Sequence, residues 1–473
     1  MTELHDLTAL EQGAAIRAGE VSAAELAEHY LARIEAGSEA VGAFTVVTRG
    51  LALEMAEAAQ RRLAEADGAP TPPLLGVPVP VKDLAFVAGV PCRLGSRAYD
   101  IVPASDDYVV TRMREAGVVF TGKTATPEFG LPCYTETLVG PPARTPWDLD
   151  RSAGGSSGGA AAAVAGGLAP VAHGSDGGGS IRIPASVCGL VGLKPSRGRV
   201  SNGPLRDPVG ELPTQGPLAR TVADAAALLD AMAGPWPDDP YPAPPLVTGE
   251  SFLEHARRDP GRLVIGRYRT PVLADVEVHP DCVAAYEEAT VLLASLGHEV
   301  VEVAPPFTQD VVPQFEALWS VLSLLTPVAP ADEESLLPLT RWLRERGAKV
   351  SGIQLAGAVS MCRLLSRVAM QATEHCDAVL APTLAQPPAL IGGLRDDADP
   401  WRDFDNQKRF APFTAAYNVT GQPAISLPLH WNDDGLPIGV MLAGRPYGEA
   451  ALIALAGQLE AAQPWAQRKP PLW

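Results

Sequence analysis

Residues 152–184 read SAGGSSGGAAAAVAGGLAPVAHGSDGGGSIRIP, and ten of these 33 positions are glycine. Glycine loses more conformational freedom on folding than any other residue. A chain concentrates it where the backbone must turn tightly or be approached closely. The glycines fall in two clusters, one around Ser156–Ser157 and one immediately before Ser180. An alanine-rich helical stretch (157–166) and an apolar strand-like run, LAPVAHGSD, separate them. The fold must therefore hold two side-chain-poor turns in place at either end of a helix and a strand.

The rest of the chain continues that alternation. Helical patterning dominates 7–66 and ends at the breaker AEADGAPTPP. LLGVPVPVKDLAFVAGV predicts a strand running into Lys82, 107–117 a helix, and VVFTGK a short strand. TVADAAALLDAMAG is a helix with a glycine stop. RLVIGRY and HEVVEVAP bracket a helix at 280–296, a β-α-β pattern. Stretches 312–326 and 335–376 read as mostly helical, and 377–388 as a strand leading to a loop. AISLPLHW and IGVMLAG pair around the turn NDDG, before a last helix at 447–462. Strands alternating with helices imply an α/β fold with a mixed central sheet covered by helices on both faces. No repeat or linker divides the chain. We expect one domain over 1–473, with an N-terminal helical segment (1–66), a core (67–235) and a C-terminal part (236–473).

Composition narrows the function. A net charge of −18 argues against nucleic acid or an anionic membrane as the main partner. The N-terminal stretch lacks the basic start and apolar run of a signal peptide, and no apolar run is long enough to span a membrane. Six scattered cysteines without a CxxC pair read as buried thiols. These features predict a cytosolic enzyme.

Two motifs mislead. Gly117–Thr124 satisfies GxxxxGK[ST], but the apolar strand lies between the glycines, and Pro127 follows soon after. A phosphate loop needs the strand before and the helix after. GxSxG matches at Ser156 and Ser157, but WDLDRSA before it has no strand character and no histidine stands in a triad context. No metal-binding pattern such as HExxH is present, so neither metal nor cofactor is expected. His173 reads as a packed, hydrogen-bonded core residue.

The second cluster, Gly177–Gly178–Gly179–Ser180, can aim successive amides at one point, as an oxyanion hole requires. Ser180 is then placed to attack a carbonyl held there, given a base. Lys82 ends the apolar run GVPVPV. Desolvation lowers a lysine's pKa and frees the neutral amine. Ser156 could relay the proton between them.

The stretch AGGSSGG…GSDGGGSIRIPA resembles the signature of the amidase signature family of serine hydrolases. The likeness extends through GVPVPVKDLAFVAGVPCRLGS, AGVVFTGKTATPEFG, RTPWDLDRSAGG, GLVGLKPSRGRVS and NVTGQPAISLPLHWNDDGLPIGVMLAGRPYGE, over roughly residues 20–460. It implies Ser180 as nucleophile, Ser156 as a relay following a cis peptide bond, and Lys82 as base. It also implies an oxyanion hole from Gly177, Gly178, Gly179 and the Ser180 amide. Ser157 matches a supporting serine, although it would serve equally well as the N-cap of the alanine-rich helix.

The common pattern before the nucleophile is Gly-Thr-Asp-Thr-Gly-Gly-Ser, and this chain has Gly177 at the second threonine. The variant is similar to the group that includes the 6-aminohexanoate cyclic dimer hydrolases. In the family the segment 127–137 lines the substrate pocket, so Leu131, Pro132, Cys133 and Tyr134 suggest an apolar site. Phe315, Trp319 and Met361 are expected to close over it by the same analogy. Asp176 and Arg182 read as an ion pair bracing the nest, with Arg182 on a substrate carboxylate as the alternative; Lys194 reads as structural. The expected activity is hydrolysis of a carboxylic amide, with no cofactor, by a homodimer acting on a small molecule, the substrate being open among linear aliphatic amides, aryl amides, cyclic dimers and esters. Alternatives are a cyclic-amide hydrolase, a subunit like the amidase-like subunit of tRNA-dependent amidotransferases, and a silent binding protein.

Overall fold

The computed structural model describes residues 3–204 and 211–473. Residues 1–2 and 205–210, which fall within the expected N-terminal segment and core, lie outside the described residues. Among the described residues eleven strands form two sheets: β1 (Phe44–Val47), β2 (Val81–Lys82), β3 (Gly122–Thr124), β4 (Val171–Asp176), β5 (Val191–Lys194), β6 (Thr214–Ala219), β7 (Val264–Arg267), β8 (Glu299–Glu302), β9 (Ala378–Pro382), β10 (Ala424–Trp431) and β11 (Pro437–Gly444). The large sheet has eight strands in the order β4-β6-β5-β10-β11-β9-β7-β8, and the small one has the order β1-β3-β2. The β7–β8 and β7–β9 pairs are parallel, while β9, β11, β10, β5, β6 and β4 pair antiparallel. The sheet is therefore mixed, as expected.

Both faces of the large sheet are covered. Successive side chains of a strand point to opposite faces. Ile425, Leu427, Val440, Leu442 and Leu380 pack with Leu229, Tyr286, Leu293 and Ile453 of helices Val222–Met232, Pro280–Ser295 and Glu449–Ala462. The alternate residues Ala424, Met441, Ala443, Val379 and Ala381 pack on the other side with Trp319, Phe413 and Tyr417. Burial on both sides explains why these strands read as continuous apolar runs.

The observed elements refine the reading of the sequence. Helix dominates 7–66, as expected, with Phe44–Val47 inserted as an outer strand that pairs with Gly122–Thr124. The strand running into Lys82 shrinks to two residues. Pro78 and Pro80 lack the amides a ladder needs, so the preceding run joins residue 119 only through Val79 N→Val119 O (2.8 Å) and Val119 N→Val77 O (2.9 Å). Strands β5 and β6, rich in glycine and proline, were not anticipated. The mostly helical stretch 335–376 holds two helices, Pro338–Gly347 and Gly352–Ala372. Among the described residues no helix is long and apolar enough to cross a membrane.

Candidate active site

The seam between the two sheets positions Lys82. His173 of β4 donates its main-chain N–H to Pro80 O (3.1 Å), and its Nδ1 accepts from Lys82 N at 3.3 Å. Nε2 therefore carries the ring proton and donates to Gln215 Oε1 at 3.0 Å. Burial holds this imidazole neutral, its pKa pushed down to about 3. The histidine is a packed core residue, as expected, and it fixes the backbone at Lys82.

Lys82 is fully buried. Its Nζ donates to Ser156 Oγ at 2.8 Å, Ser175 Oγ at 3.0 Å and the Ser175 carbonyl at 3.2 Å. Desolvation lowers its pKa well below 10.5, against a smaller opposing pull from Asp176. Ser156 follows a cis peptide bond to Gly155. A Cβ on Gly155 would lie 2.7 Å from Tyr134 N, so only glycine fits this crossing of two chain segments. Ser157 precedes helix Gly158–Ala165 but does not cap it. Its Oγ donates to Ser175 O (3.1 Å) and accepts from Ser175 N (3.3 Å), and its amide donates to Ser180 O (3.2 Å). These bonds lay the two glycine clusters side by side and decide between its two readings. Among the described residues Ser180 Oγ has no hydrogen-bond partner, a looseness common in free enzymes before substrate tightens the site.

The nest differs from expectation at one amide. Gly179 N donates to Asp176 Oδ1 at 2.8 Å, so it braces the turn. Among the described residues the amides of Gly177, Gly178 and Ser180 make no hydrogen bond. Gly179 has φ +134°, and a Cβ there would lie 2.3 Å from Thr414 Oγ1, which donates to Gly178 O at 2.6 Å. Beneath the nest, Arg182 and Asp176 are fully buried and joined by two hydrogen bonds of 2.9 and 2.8 Å. Burial alone would raise the Asp176 pKa, but the Arg182 guanidinium outweighs it and holds the carboxyl well below its usual range. Arg182 also donates to Asn418 Oδ1 (2.7 Å) and Thr414 O (2.8 Å). Its fork is used up, which supports the ion-pair reading over a substrate contact. Lys194 is buried with its Nζ donating to Pro195 O at 2.9 Å; burial, aided by Arg182, pushes its pKa down to about 7.

Leu131, Pro132, Cys133, Phe315 and Trp319 line a cavity of about 50 Å³ with Gly178 and Ser180. Tyr134 does not. It is buried, and its hydroxyl donates to Asp403 Oδ2 at 2.7 Å. Met361 is also misplaced by the analogy: it lies 41% exposed, away from the cavity. Burial raises the Cys133 thiol's pKa, so it is no competing nucleophile. Lys123 of the false phosphate motif is buried against Asp83 at 2.7 Å. Ser175, Thr414, Asn418, Phe404, Gln407 and Lys408 were missed. Only Ser175 carried a signal, its place on the strand facing Lys82.

Fold and site together place the chain among amide-hydrolysing enzymes. The family model described as Amidase matches residues 25–453, and the chain belongs to that family. It is 40% identical over 470 residues to putative amidase AmiB2 of Mycobacterium tuberculosis, covering 99% of each chain. It is 36% identical over 492 aligned residues to 6-aminohexanoate-cyclic-dimer hydrolase of Paenarthrobacter ureafaciens, covering 98% of this chain and 96% of that one. The solved structure of 6-aminohexanoate cyclic dimer hydrolase with its substrate superposes with a TM-score of 0.88 at 34% identity, over 99% of both chains.

Proposed function

We propose that the protein hydrolyses a linear carboxylic amide through an acyl-enzyme on Ser180, with Ser156 as relay and Lys82 as base. The observation that carries this is the fully buried Lys82 Nζ, 2.8 Å from Ser156 Oγ. In the neutral amine both N–H bonds are taken by Ser175 Oγ and O, which leaves the lone pair for the Ser156 hydroxyl. Ser180 Oγ bonds to the carbonyl carbon while its proton passes to Ser156 and the Ser156 proton to Lys82. The amides of Gly177, Gly178 and Ser180 hold the oxyanion. Collapse breaks the C–N bond, and the proton returns through Ser156 to the leaving nitrogen. Water then cleaves the acyl-enzyme by the same path, giving the carboxylate and free Ser180.

Because Lys82 acts as the neutral amine, kcat/KM rises as pH rises through its lowered pKa and levels off well below 10.5. A profile on a simple amide between about pH 5 and 10 checks this, and one with no ascending limb overturns Lys82 as base. Cyclic amides are the second reading, supported by the 0.88 TM-score to the cyclic dimer hydrolase. Assaying that cyclic dimer beside linear amides decides between them. The reading extends to a self-sufficient cytosolic homodimer acting on a small molecule; light scattering and activity of the purified chain alone test it.

A further inference from the structure

The cavity beside Ser180 has a direction. It touches Gly178 and Ser180 but neither Ser156 nor Lys82. The proton for the leaving nitrogen arrives through Ser156, which does not line the cavity, so the cavity takes the acyl substituent. Its walls are Leu131, Ile183, Leu273, Phe315, Trp319 and Phe404. Beside Ser180, the polar side chains of Gln407 and Lys408 reach it, and both are already engaged. Gln407 accepts from Cys133 N (3.0 Å) and donates to Asp403 (2.6 Å), and Lys408 pairs with Glu316 (2.8 Å) and Asp405 (3.4 Å). A charged acyl group would be desolvated there without a free partner.

The space is also small. A dry cavity of about 150 Å³ accepts benzene, and this one is about 50 Å³. Trp319 sets that limit. It stacks on Phe315 one helical turn away, with ring centroids 5.3 Å apart and planes at 23°. A Cβ at Gly177 would lie 3.3 Å from the indole, and one at Gly178 3.5 Å from Phe315. The aromatic pair thus lies directly on the nest. Glycine at 177, where the common pattern has threonine, leaves room for the indole. Glu316, next to Phe315, ties the helix to Lys408 (2.8 Å) and Arg346 (2.9 Å) and keeps the rings in place.

We propose that Trp319, seated on Gly177 and stacked on Phe315, is a size gate that confines the acyl group to a compact, uncharged aliphatic chain. This rests on the amidase reading with Ser180 as nucleophile. The test is kcat/KM of the purified chain on propionamide, hexanamide and benzamide, for the wild type and Trp319→Ala. Wild type should prefer propionamide to benzamide by at least about tenfold, the discrimination a misfitting apolar group typically brings. Trp319→Ala should shift the ratio at least about tenfold towards benzamide. Trp319→Leu, a smaller change, should shift it the same way and serves if the alanine variant folds poorly. A wild type indifferent to acyl size, or a ratio unmoved in both variants while turnover persists, overturns the gate alone. A wild type without turnover on any amide overturns the amidase reading and the gate with it.

Discussion

Replacing Ser180 or Lys82 by alanine is expected to lower kcat on a simple amide by about 10⁴–10⁶-fold, as for other nucleophile–base sets. The two losses should not add. Once Ser180 is gone nothing remains for Lys82 to activate, so Ser180→Ala/Lys82→Ala should be little worse than either single change. The variants should separate by labelling. Lys82→Ala retains the Ser180 hydroxyl and should react slowly with a fluorophosphonate, whereas Ser180→Ala should not react at all. They should also separate in stability. Ser180 Oγ makes no hydrogen bond among the described residues, so its removal should leave the melting temperature nearly unchanged. Lys82 is fully buried and its removal strips Ser156 and Ser175 of a shared partner. Near-wild-type turnover by Ser180→Ala, checked by mass spectrometry for sequence fidelity, would sink the mechanism.

Asp176→Ala should produce the largest loss of stability. The Asp176 carboxylate accepts from Gly179 N, Ile181 N, Arg182 Nε and Nη2, and Asn418 Nδ2. Its removal leaves the fully buried Arg182 without a counter-charge. Breaking one partner of such a pair costs about 3–5 kcal/mol. Urea unfolding should read that loss directly, and Asp176→Ala/Arg182→Met should recover part of it, since the uncompensated charge is then gone. If the double variant is less stable than Asp176→Ala, the ion-pair account fails. The same group carries a pH dependence. Its folded pKa lies below the ordinary 3.8, so its contribution is present above that value and is lost as pH falls below it.

The parts of the site legible in the sequence are those encoded within short stretches. The glycine clusters and their serines announce themselves, because a Cβ at Gly155 or Gly179 would collide with a neighbouring chain segment. Lys82 was legible from the apolar run before it. What escaped reading arrives from far along the chain. Thr414 and Asn418 reach under the nest across more than 230 positions, in an ordinary-looking segment. Phe404 and Lys408 reach the cavity from a helix with no special composition. The sheet was misjudged for a related reason. Strands β5 and β6 are short, and Gly192, Gly216 and Pro217 spoil their alternation, so pairing with neighbours makes them strands. The resemblance puts Tyr134 in the pocket because the segment 127–137 lines it in the family, but adjacent residues on a loop need not face the same way.

The sheet order has a consequence for how the molecule can be divided. Lys82, Ser156 and Ser180 all lie before residue 235, as if that part were a module carrying the chemistry. Yet β10 lies between β5 and β11, so the second half of the chain completes the sheet of the first. A fragment ending near 235 would present β5 as a bare edge, the kind of surface that recruits other strands. It would also lack Thr414 and Asn418, which shape the nest from below. The reactive groups are local in sequence, but their arrangement belongs to the whole chain. Inheritance, engineering and folding must therefore treat the two halves as one unit.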